Sequence, residues 1–225
     1  MLTLLTATGA RPMAWAICEQ LMMLQTFQGP VRWLIVDDGE TPQPITFKRD
    51  GWTLEVIRPE PFWKTGQNTQ ARNLLAGLRK IGKNERVVVV EDDDHYGAGY
   101  LADVGKWLNN YDLVGEPEAR YFNVATGVGK QLPNKTHASL CSTAAKGPAI
   151  QALMQSVLTN HKFIDLALWR SFRGKKYLSK TRHVVGIKGL PGRHGIGAGH
   201  TALTGKSNGH ILREWIGEDA GIYGY

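Results

Sequence analysis

RVVVVEDDD, residues 86–94, places four consecutive acids directly after four consecutive valines. Valine is β-branched and favours strands, and so apolar a run is typical of a strand that is buried on both faces of a sheet. The acids then follow the carboxyl end of that strand, which is where parallel sheets bind their ligands. The stretch therefore predicts an α/β protein with a charged ligand site at one edge of its sheet.

Strands and helices alternate in the sequence before this stretch. The predicted elements are strand Met1–Thr8, a helix from Pro12 to near Gly29, strands Val31–Val36 and Trp52–Ile57, and a helix that Asn68 or Thr69 caps and that runs to Gly82. This alternation is typical of a mainly parallel sheet flanked by helices. Thr8, Asp37 and Asp38 end two of the strands, so we expect them on the same edge as the four acids.

The second half of the chain has a less regular pattern. It predicts helices over Ala149–Leu158 and Phe163–Phe172, a strand over His183–Lys188, and a glycine-rich end. No linker or repeat divides the 225 residues. We therefore expect one domain, 1–225, with a ligand-binding half (1–115) and a second functional half (116–225).

Composition excludes several classes of protein. With 42% hydrophobic and 21% charged residues, the chain is not disordered, and its two cysteines, Cys18 and Cys141, are too few for a disulfide scaffold or a cysteine zinc site. No apolar run approaches the ~18 residues of a membrane span, and Met1 to Ala10 lacks the basic start of a signal peptide. The expected location is the cytoplasm.

Positive charge is concentrated in one segment. The net charge is +7, yet residues 166–213 contain ten lysines and arginines and no acid. Such a segment favours a polyanionic partner, because each phosphate it neutralises releases counterions. A solvated basic face is the alternative that composition leaves open.

The four acids repel one another, and a bound cation would relieve that cost. Oxygen ligands without cysteine suit Mg²⁺ or Mn²⁺, which commonly bridge carboxylates to substrate phosphates. A solvated acidic turn is the alternative for an isolated run of acids. The position of these four acids after a buried strand favours a metal site.

Five short motifs, in order, resemble those of the GT-A glycosyltransferases, particularly the inverting family 2 type. They are Thr8-Gly9-Ala10-Arg11, Gln25-Thr26-Phe27, Ile35-Val36-Asp37-Asp38-Gly39, Ala71-Arg72-Asn73, and Glu91-Asp92-Asp93-Asp94 followed by Tyr100-Leu101. They cover roughly the first 110 residues. The resemblance implies a GT-A (Rossmann-like) fold and transfer of a sugar from a nucleotide-sugar donor, with a UDP-sugar as first choice.

The resemblance also implies roles for single residues. Thr8 and either Asp37 or Asp38 would hydrogen-bond the nucleotide base of the donor. Arg11 and Arg72 would lie near the donor, and Glu91 or Asp92 would contact the ribose. Asp93 is the first choice for the metal ligand, beside Asp94, with a late histidine, His200 or else His194, completing the metal shell. A loop histidine without a ligand role is the alternative. Gly9 and Glu40 depart from the family pattern, which puts the identity of the donor base in doubt.

An inverting transfer needs a base that takes the proton of the acceptor hydroxyl. The segment from Phe163 to Trp169 resembles a later Glu-Asp segment of the family at a helix start, which makes Asp165 the candidate. An aspartate at that position is also a common helix cap.

The basic segment follows Asp165, which points to a phosphate-bearing acceptor. The compact layout is also similar to bacteriophage glycosyltransferases that decorate hydroxymethylated pyrimidines in DNA, so DNA is the leading acceptor. In that case the enzyme would act in the cytoplasm of the host. The alternatives are a family 2 transferase for a surface saccharide or lipid carrier, a nucleotidyltransferase, and a noncatalytic nucleic-acid-binding module.

Overall fold

The computed structural model describes residues 1–193, 203 and 205–225. Its strands are β1 (Leu2–Thr8), β2 (Val31–Asp37), β3 (Trp52–Ile57), β4 (Arg86–Val89), β5 (His95–Tyr96), β6 (Leu113–Gly115), β7 (Glu118–Asn123), β8 (Val128–Pro133), β9 (Thr143–Lys146), β10 (Lys176–Leu178) and β11 (Val184–Lys188). Its helices are α1 (Pro12–Met23), α2 (Gln70–Leu78), α3 (Tyr100–Asn110), α4 (Pro148–Thr159), α5 (Ile164–Ser171) and α6 (His210–Ile216), with 3₁₀ turns at Leu140–Ser142 and Gly217–Tyr223.

Seven strands form a mainly parallel sheet in the order β10-β6-β9-β4-β1-β2-β3. Strand β1 lies between β2 and β4 and is parallel to both, and β9 is the strand that runs antiparallel to its neighbours. The pairing places Thr8 opposite Asp37 at the carboxyl ends of β1 and β2. The predicted α/β fold is therefore confirmed.

Helices cover both faces of this sheet. Along β1, Leu4 packs with Trp15 of α1 on one face, and Leu5 packs with Leu74 of α2 on the other. Successive side chains of a strand point to opposite faces, so a strand apolar throughout must be covered on both sides. All four of these side chains are buried.

A second sheet, in the order β5-β11-β7-β8, adjoins the carboxyl edge of the first. Its strand β5 follows the four acids directly, and β11 pairs with both β5 and β7. The C-terminal residues pack on it, as Tyr225 donates a hydrogen bond from its hydroxyl to the carbonyl of Val124 at 2.7 Å. The sequence pattern predicted β11 and missed the rest of this sheet, because β5 has two residues and because charged and polar residues interrupt the apolar pattern of β7 and β8.

Two helices end before the expected residues. Helix α1 ends at Met23 because Gln25 turns inward and donates to the carbonyl of Gly97, and because Arg49 caps the carbonyls of Met22 and Met23. Helix α2 ends at Leu78, and two tight turns carry the chain on to Gly82. Strand β4 ends at Val89, one valine early.

Within the described residues, the helices are all too short or too polar to cross a membrane.

Candidate active site

The strand ends that the sequence predicted to converge do meet at one edge of the sheet. The hydroxyl of Thr8 donates to the carboxylate of Asp92 at 2.6 Å and accepts a hydrogen bond from the side chain of Gln43. Thr8 and Asp92 are both buried. The carboxyl ends of β1 and β4 are therefore joined directly through side chains.

Arg11, at the start of α1, neutralises part of the acidic segment. Its guanidinium lies 2.6 Å from an oxygen of Asp92 and 3.0 Å from an oxygen of Asp93. Burial nevertheless raises the pKa of Asp92 to about 6, because desolvation outweighs the attraction of Arg11 and the hydrogen bond from Thr8.

Lys188, the last residue of β11, is the second cation at the acidic segment. Its ammonium nitrogen lies 2.8 Å from Asp94 and 3.6 Å from Asp93. Asp94 also accepts the backbone N–H of Ile187, so its carboxylate is held against β11. Asp94 is absent from the residues that line the cavity described below, whereas Asp93 and Lys188 belong to them.

Glu91 completes the group and accepts a hydrogen bond from the side chain of Gln70 at 2.8 Å. Burial, reinforced by repulsion from Asp94, raises the pKa of Glu91 to about 8. Four carboxylates thus face two cations, which leaves two negative charges when all six groups are ionised. Part of the repulsion that suggested a metal is therefore relieved by Arg11 and Lys188.

The donor set still fits a divalent ion held between protein and phosphate. Mg²⁺ and Mn²⁺ are commonly bound by one or two carboxylates plus substrate phosphates, and Glu91 and Asp93 line the cavity. Glu91 and Asp94 also have carboxylate oxygens within 4.8 Å of each other and of the Cys141 thiol. Glu91 and Asp93 are thus the two carboxylates of the acidic segment that line the cavity, and the role of Asp93 as metal ligand stays a prediction. His200 and His194 lie outside the described residues.

A cavity of about 360 Å³ opens beside the acids, within the range of small-molecule sites. Its lining includes Thr8, Arg11 and Asp93. It also includes Asp165, the second residue of α5. Asp165 and the acidic segment thus line one cavity, and the role of Asp165 as a base stays a prediction.

Asp165 is half-buried and accepts the backbone N–H of Leu166 at 2.8 Å. Burial raises the pKa of this carboxyl above its usual value, while the N–H of Leu166 and the nearby imidazole of His137 act in the opposite direction. A carboxylate with a raised pKa in a cavity is suited to taking a proton.

Asp37 and Asp38 both form ion pairs with arginines of the protein. Asp37 pairs with Arg58 at 2.8 Å and accepts two backbone N–H groups. Asp38 pairs with Arg72 at 2.9 Å and with Arg193 at 2.7 Å. Asp37, Asp38 and Arg72 do not line the cavity. Their contact with a donor therefore stays a prediction, and it requires that they give up their present ion pairs.

Thr69 and Trp63 hold Arg193 in place. The Thr69 hydroxyl contacts both Asp38 and Arg193, instead of capping α2 as the sequence suggested. The Arg193 guanidinium also lies 4.9 Å from the centre of the Trp63 ring, a cation–π contact. The chain just before the undescribed segment is thereby fixed beside the cavity.

The basic segment 166–213 does not form one wall of the site. Of its ten basic residues, Lys188 and Arg193 line the cavity, and both are paired with carboxylates. The other eight are exposed elsewhere on the surface. They lie on α5, β10, α6 and the loops between elements, and none of the eight lines the cavity. For those eight, the expectation that the segment borders the acceptor side stays a prediction.

Sequence reasoning missed several residues of the cavity. They are Gln70, Lys130, His137, Lys162 and Lys188. Lys188 reaches the acidic segment because β11 pairs with β5. A lysine that ends a buried strand is an unusual residue and could have drawn attention to Lys188. Nothing local in the sequence marks the other four.

The sheet order, with acids at the carboxyl edge of a mainly parallel sheet, defines a GT-A type of α/β fold. Solved structures of S. aureus TarS share it, with 14% identity and a TM-score of 0.59 over 83% of this chain and 37% of that one. The TarS 1–349 complex with UDP gives 11% identity, a TM-score of 0.57 and coverages of 83% and 60%. The complex with UDP-GlcNAc gives 12% identity, a TM-score of 0.55 and coverages of 87% and 60%.

This chain therefore spans between 37% and 60% of the length of those TarS chains. No protein-family model and no curated protein sequence matches it. At such low identity the likeness establishes the fold.

Proposed function

We propose that this protein is a metal-dependent, inverting glycosyltransferase that moves a sugar from a UDP-sugar to an acceptor hydroxyl. The observation that carries the proposal is one cavity whose lining includes Asp93 and Glu91 of the acidic segment together with Asp165. The TarS glycosyltransferase, which shares the fold, was solved with UDP and with UDP-GlcNAc, and this supports the choice of donor.

The donor diphosphate would lie beside Asp93, within reach of Arg11 and Lys188. Lys188 is buried and Arg11 is largely so, and carboxylates hold both in place, so they are preorganised to stabilise negative charge that grows on a leaving phosphate oxygen. Thr8 and Glu91 line the same side and are placed to contact the nucleoside. A bound Mg²⁺ or Mn²⁺ at Asp93 would supply Lewis-acid stabilisation of the diphosphate.

Asp165 would act as the base. It takes the proton of the acceptor hydroxyl as the oxygen forms a bond to the anomeric carbon of the sugar. The bond from that carbon to the β-phosphate oxygen breaks, and its electron pair leaves with the UDP. Attack from the side opposite the leaving group inverts the configuration, consistent with a base and a diphosphate site on different sides of one cavity.

In this proposal residues 1–115 supply most of the donor side, to which Lys188 and Arg193 contribute, and the rest of 116–225 supplies the acceptor side of one domain. Hydroxymethylated pyrimidine in DNA is the proposed acceptor, with the enzyme acting in the cytoplasm, that of the host for a phage protein. Eight exposed cations of the basic segment support attraction of a polyanion to the surface, rather than contact at the reacting hydroxyl.

Mass spectrometry of hydroxymethylated DNA incubated with the protein, Mn²⁺ and a panel of nucleotide sugars tests the proposal. A mass gain of one hexose or pentose is the expected result, and it should vanish when EDTA removes the metal. Transfer to saccharide or lipid acceptors alone would contradict the DNA acceptor. Salt-sensitive DNA binding without any donor turnover would identify a noncatalytic binding module.

A further inference from the structure

The lysines and arginines that line the cavity differ in whether a carboxylate of the protein pairs with them. On the donor side, Arg11, Lys188 and Arg193 lie 2.6, 2.8 and 2.7 Å from carboxylate oxygens. On the other side, Lys130 and Lys162 line the cavity, and within the described part of the chain no carboxylate oxygen lies within 4.0 Å of either ammonium group. These two lysines therefore keep their positive charge available for an anion from outside.

The β7–β8 hairpin directs Lys130 toward the cavity. Lys130 is paired in register with Tyr121, and both line the cavity together with Leu132, two residues further along β8. Gln131 lies on the opposite face and donates to Glu118. Because side chains alternate along a strand, the position of Lys130 is set by the sheet.

Lys162 lies in the loop before α5, three residues before Asp165. Its ammonium nitrogen is 5.6 Å from the centre of the Phe163 ring, and that ring is 59% exposed. Phe163 and Leu132 both line the cavity and are among the large exposed apolar side chains. A positive charge and an apolar surface thus adjoin the proposed base.

We propose that Lys130 and Lys162 form an acceptor subsite, which binds a phosphate group that the acceptor carries close to its reacting hydroxyl. The inference rests on the proposed function, since Asp165 defines where that hydroxyl lies. Phosphate is the expected anion because it accepts hydrogen bonds through several oxygens and can engage two lysines at once. Nucleotides and polyol phosphates share this chemistry, and the exposed Phe163 ring favours a nucleotide, whose base can stack on it.

Calorimetric titration with paired ligands tests the subsite. With UDP filling the donor side, the wild-type protein is titrated with 5-hydroxymethyl-2′-deoxycytidine and with its 3′-monophosphate. We expect the phosphate to tighten binding about tenfold, which corresponds to about 1.4 kcal/mol, because its oxygens accept charge-assisted hydrogen bonds from the lysines. Lys130→Ala combined with Lys162→Ala should remove this preference, and arginine at both positions should keep it.

Lys135→Ala is the matched control, because Lys135 is an exposed lysine near the same hairpin that does not line the cavity. Equal binding of the two ligands by the wild-type protein, or a preference that survives in the double alanine variant, would overturn the subsite. Glycerol and glycerol 3-phosphate form a second pair, and a phosphate preference seen only there would overturn the nucleotide assignment.

Failure of the proposed function gives a different result. If the proposed function is wrong, the wild-type protein does not bind UDP. The nucleoside pair and the glycerol pair are then titrated without UDP, which tests the subsite by itself. If transfer is active, the double alanine variant should raise KM for the phosphate-bearing acceptor more than KM for the acceptor without phosphate.

Discussion

At the scale of single residues, the environment of each carboxylate separates one candidate role from another. Asp92 and Asp94 are held by hydrogen bonds from Thr8 and from β11 and do not line the cavity, so their predicted roles at the ribose and the metal stay predictions. Asp93 lines the cavity and is placed to share its charge with a ligand. Four adjacent acids of similar chemistry thus differ because their partners differ.

Asp93→Ala should lower metal-dependent turnover of a UDP-sugar by at least about 100-fold, since it removes a ligand that stabilises the leaving group. The measurement is UDP release at increasing Mn²⁺ concentration. Asp50→Ala, which alters an exposed acid away from the cavity, should leave turnover unchanged. Unaltered Mn²⁺ dependence in the Asp93 variant would rule out this ligand.

Asp165→Asn should preserve UDP binding and abolish transfer, because the amide keeps the shape of the side chain and loses its basicity. UDP affinity by calorimetry and product formation by mass spectrometry separate the two effects. A variant that remains fully active would refute the assignment of Asp165 as the base.

The pH dependence of transfer should report the raised pKa of Asp165. Burial disfavours its ionised form, so the carboxylate takes up a proton at higher pH than an ordinary aspartate, whose pKa is about 3.9. As pH falls through this raised pKa, kcat/KM should decline about tenfold per pH unit, because a protonated base accepts no proton. A rate that stays constant down to about pH 4 would contradict this.

At the scale of elements, the fit between α2 and the sheet fixes the wall of the cavity that carries Gln70 and Asn73. Gly77 faces β1 and β2, and a Cβ there would lie 2.2 Å from a methyl carbon of Leu5 and 3.1 Å from one of Val36. The close approach of this helix depends on the missing side chain.

Gly77→Ala should therefore destabilise the protein by about 1–3 kcal/mol through overpacking, which outweighs the roughly 1 kcal/mol gain in helix propensity. Urea denaturation measures the change. Gly221→Ala is the control, since a Cβ at Gly221 meets no atom within 4 Å and its free energy of unfolding should change little. A stabilised Gly77 variant would show that Leu5 moves aside at low cost.

At the scale of the whole molecule, Arg120 joins parts of the chain that are remote in sequence. It is buried on β7 and donates to the carbonyl of Val184 at 3.1 Å and to that of Trp215 at 3.4 Å. Its guanidinium thus connects the hairpin, β11 and the C-terminal helix α6. Lys130 and Lys188 lie on strands of this same sheet.

Arg120→Ala should cost about 2–4 kcal/mol of unfolding free energy, because buried carbonyls lose their donor. Arg182→Ala is the control. Arg182 is exposed and pairs with Glu118, so its loss should cost less than about 1 kcal/mol. Equal effects of the two substitutions, measured by thermal denaturation, would contradict a central role for Arg120.

The sequence by itself determined the parallel sheet and the acids at its carboxyl edge, whereas Asp165 was selected through the resemblance to a known family. These features follow from local chemistry, since valine-rich strands, helical periodicity and polar strand ends are each written in a few consecutive residues. Parallel strands in one sheet bring their carboxyl ends together whatever their spacing along the chain. Thr8 and Asp92 therefore meet although 84 residues separate them.

Only the tertiary structure decided which charges pair. Arg193 lies on Asp38 across 155 residues, and Lys188 reaches Asp94 because β11 joins β5 in the second sheet. The same packing disperses the basic segment and leaves Lys130 and Lys162 on the cavity wall. Ion pairing depends on distance and burial in three dimensions, and a count of charges along the chain carries neither.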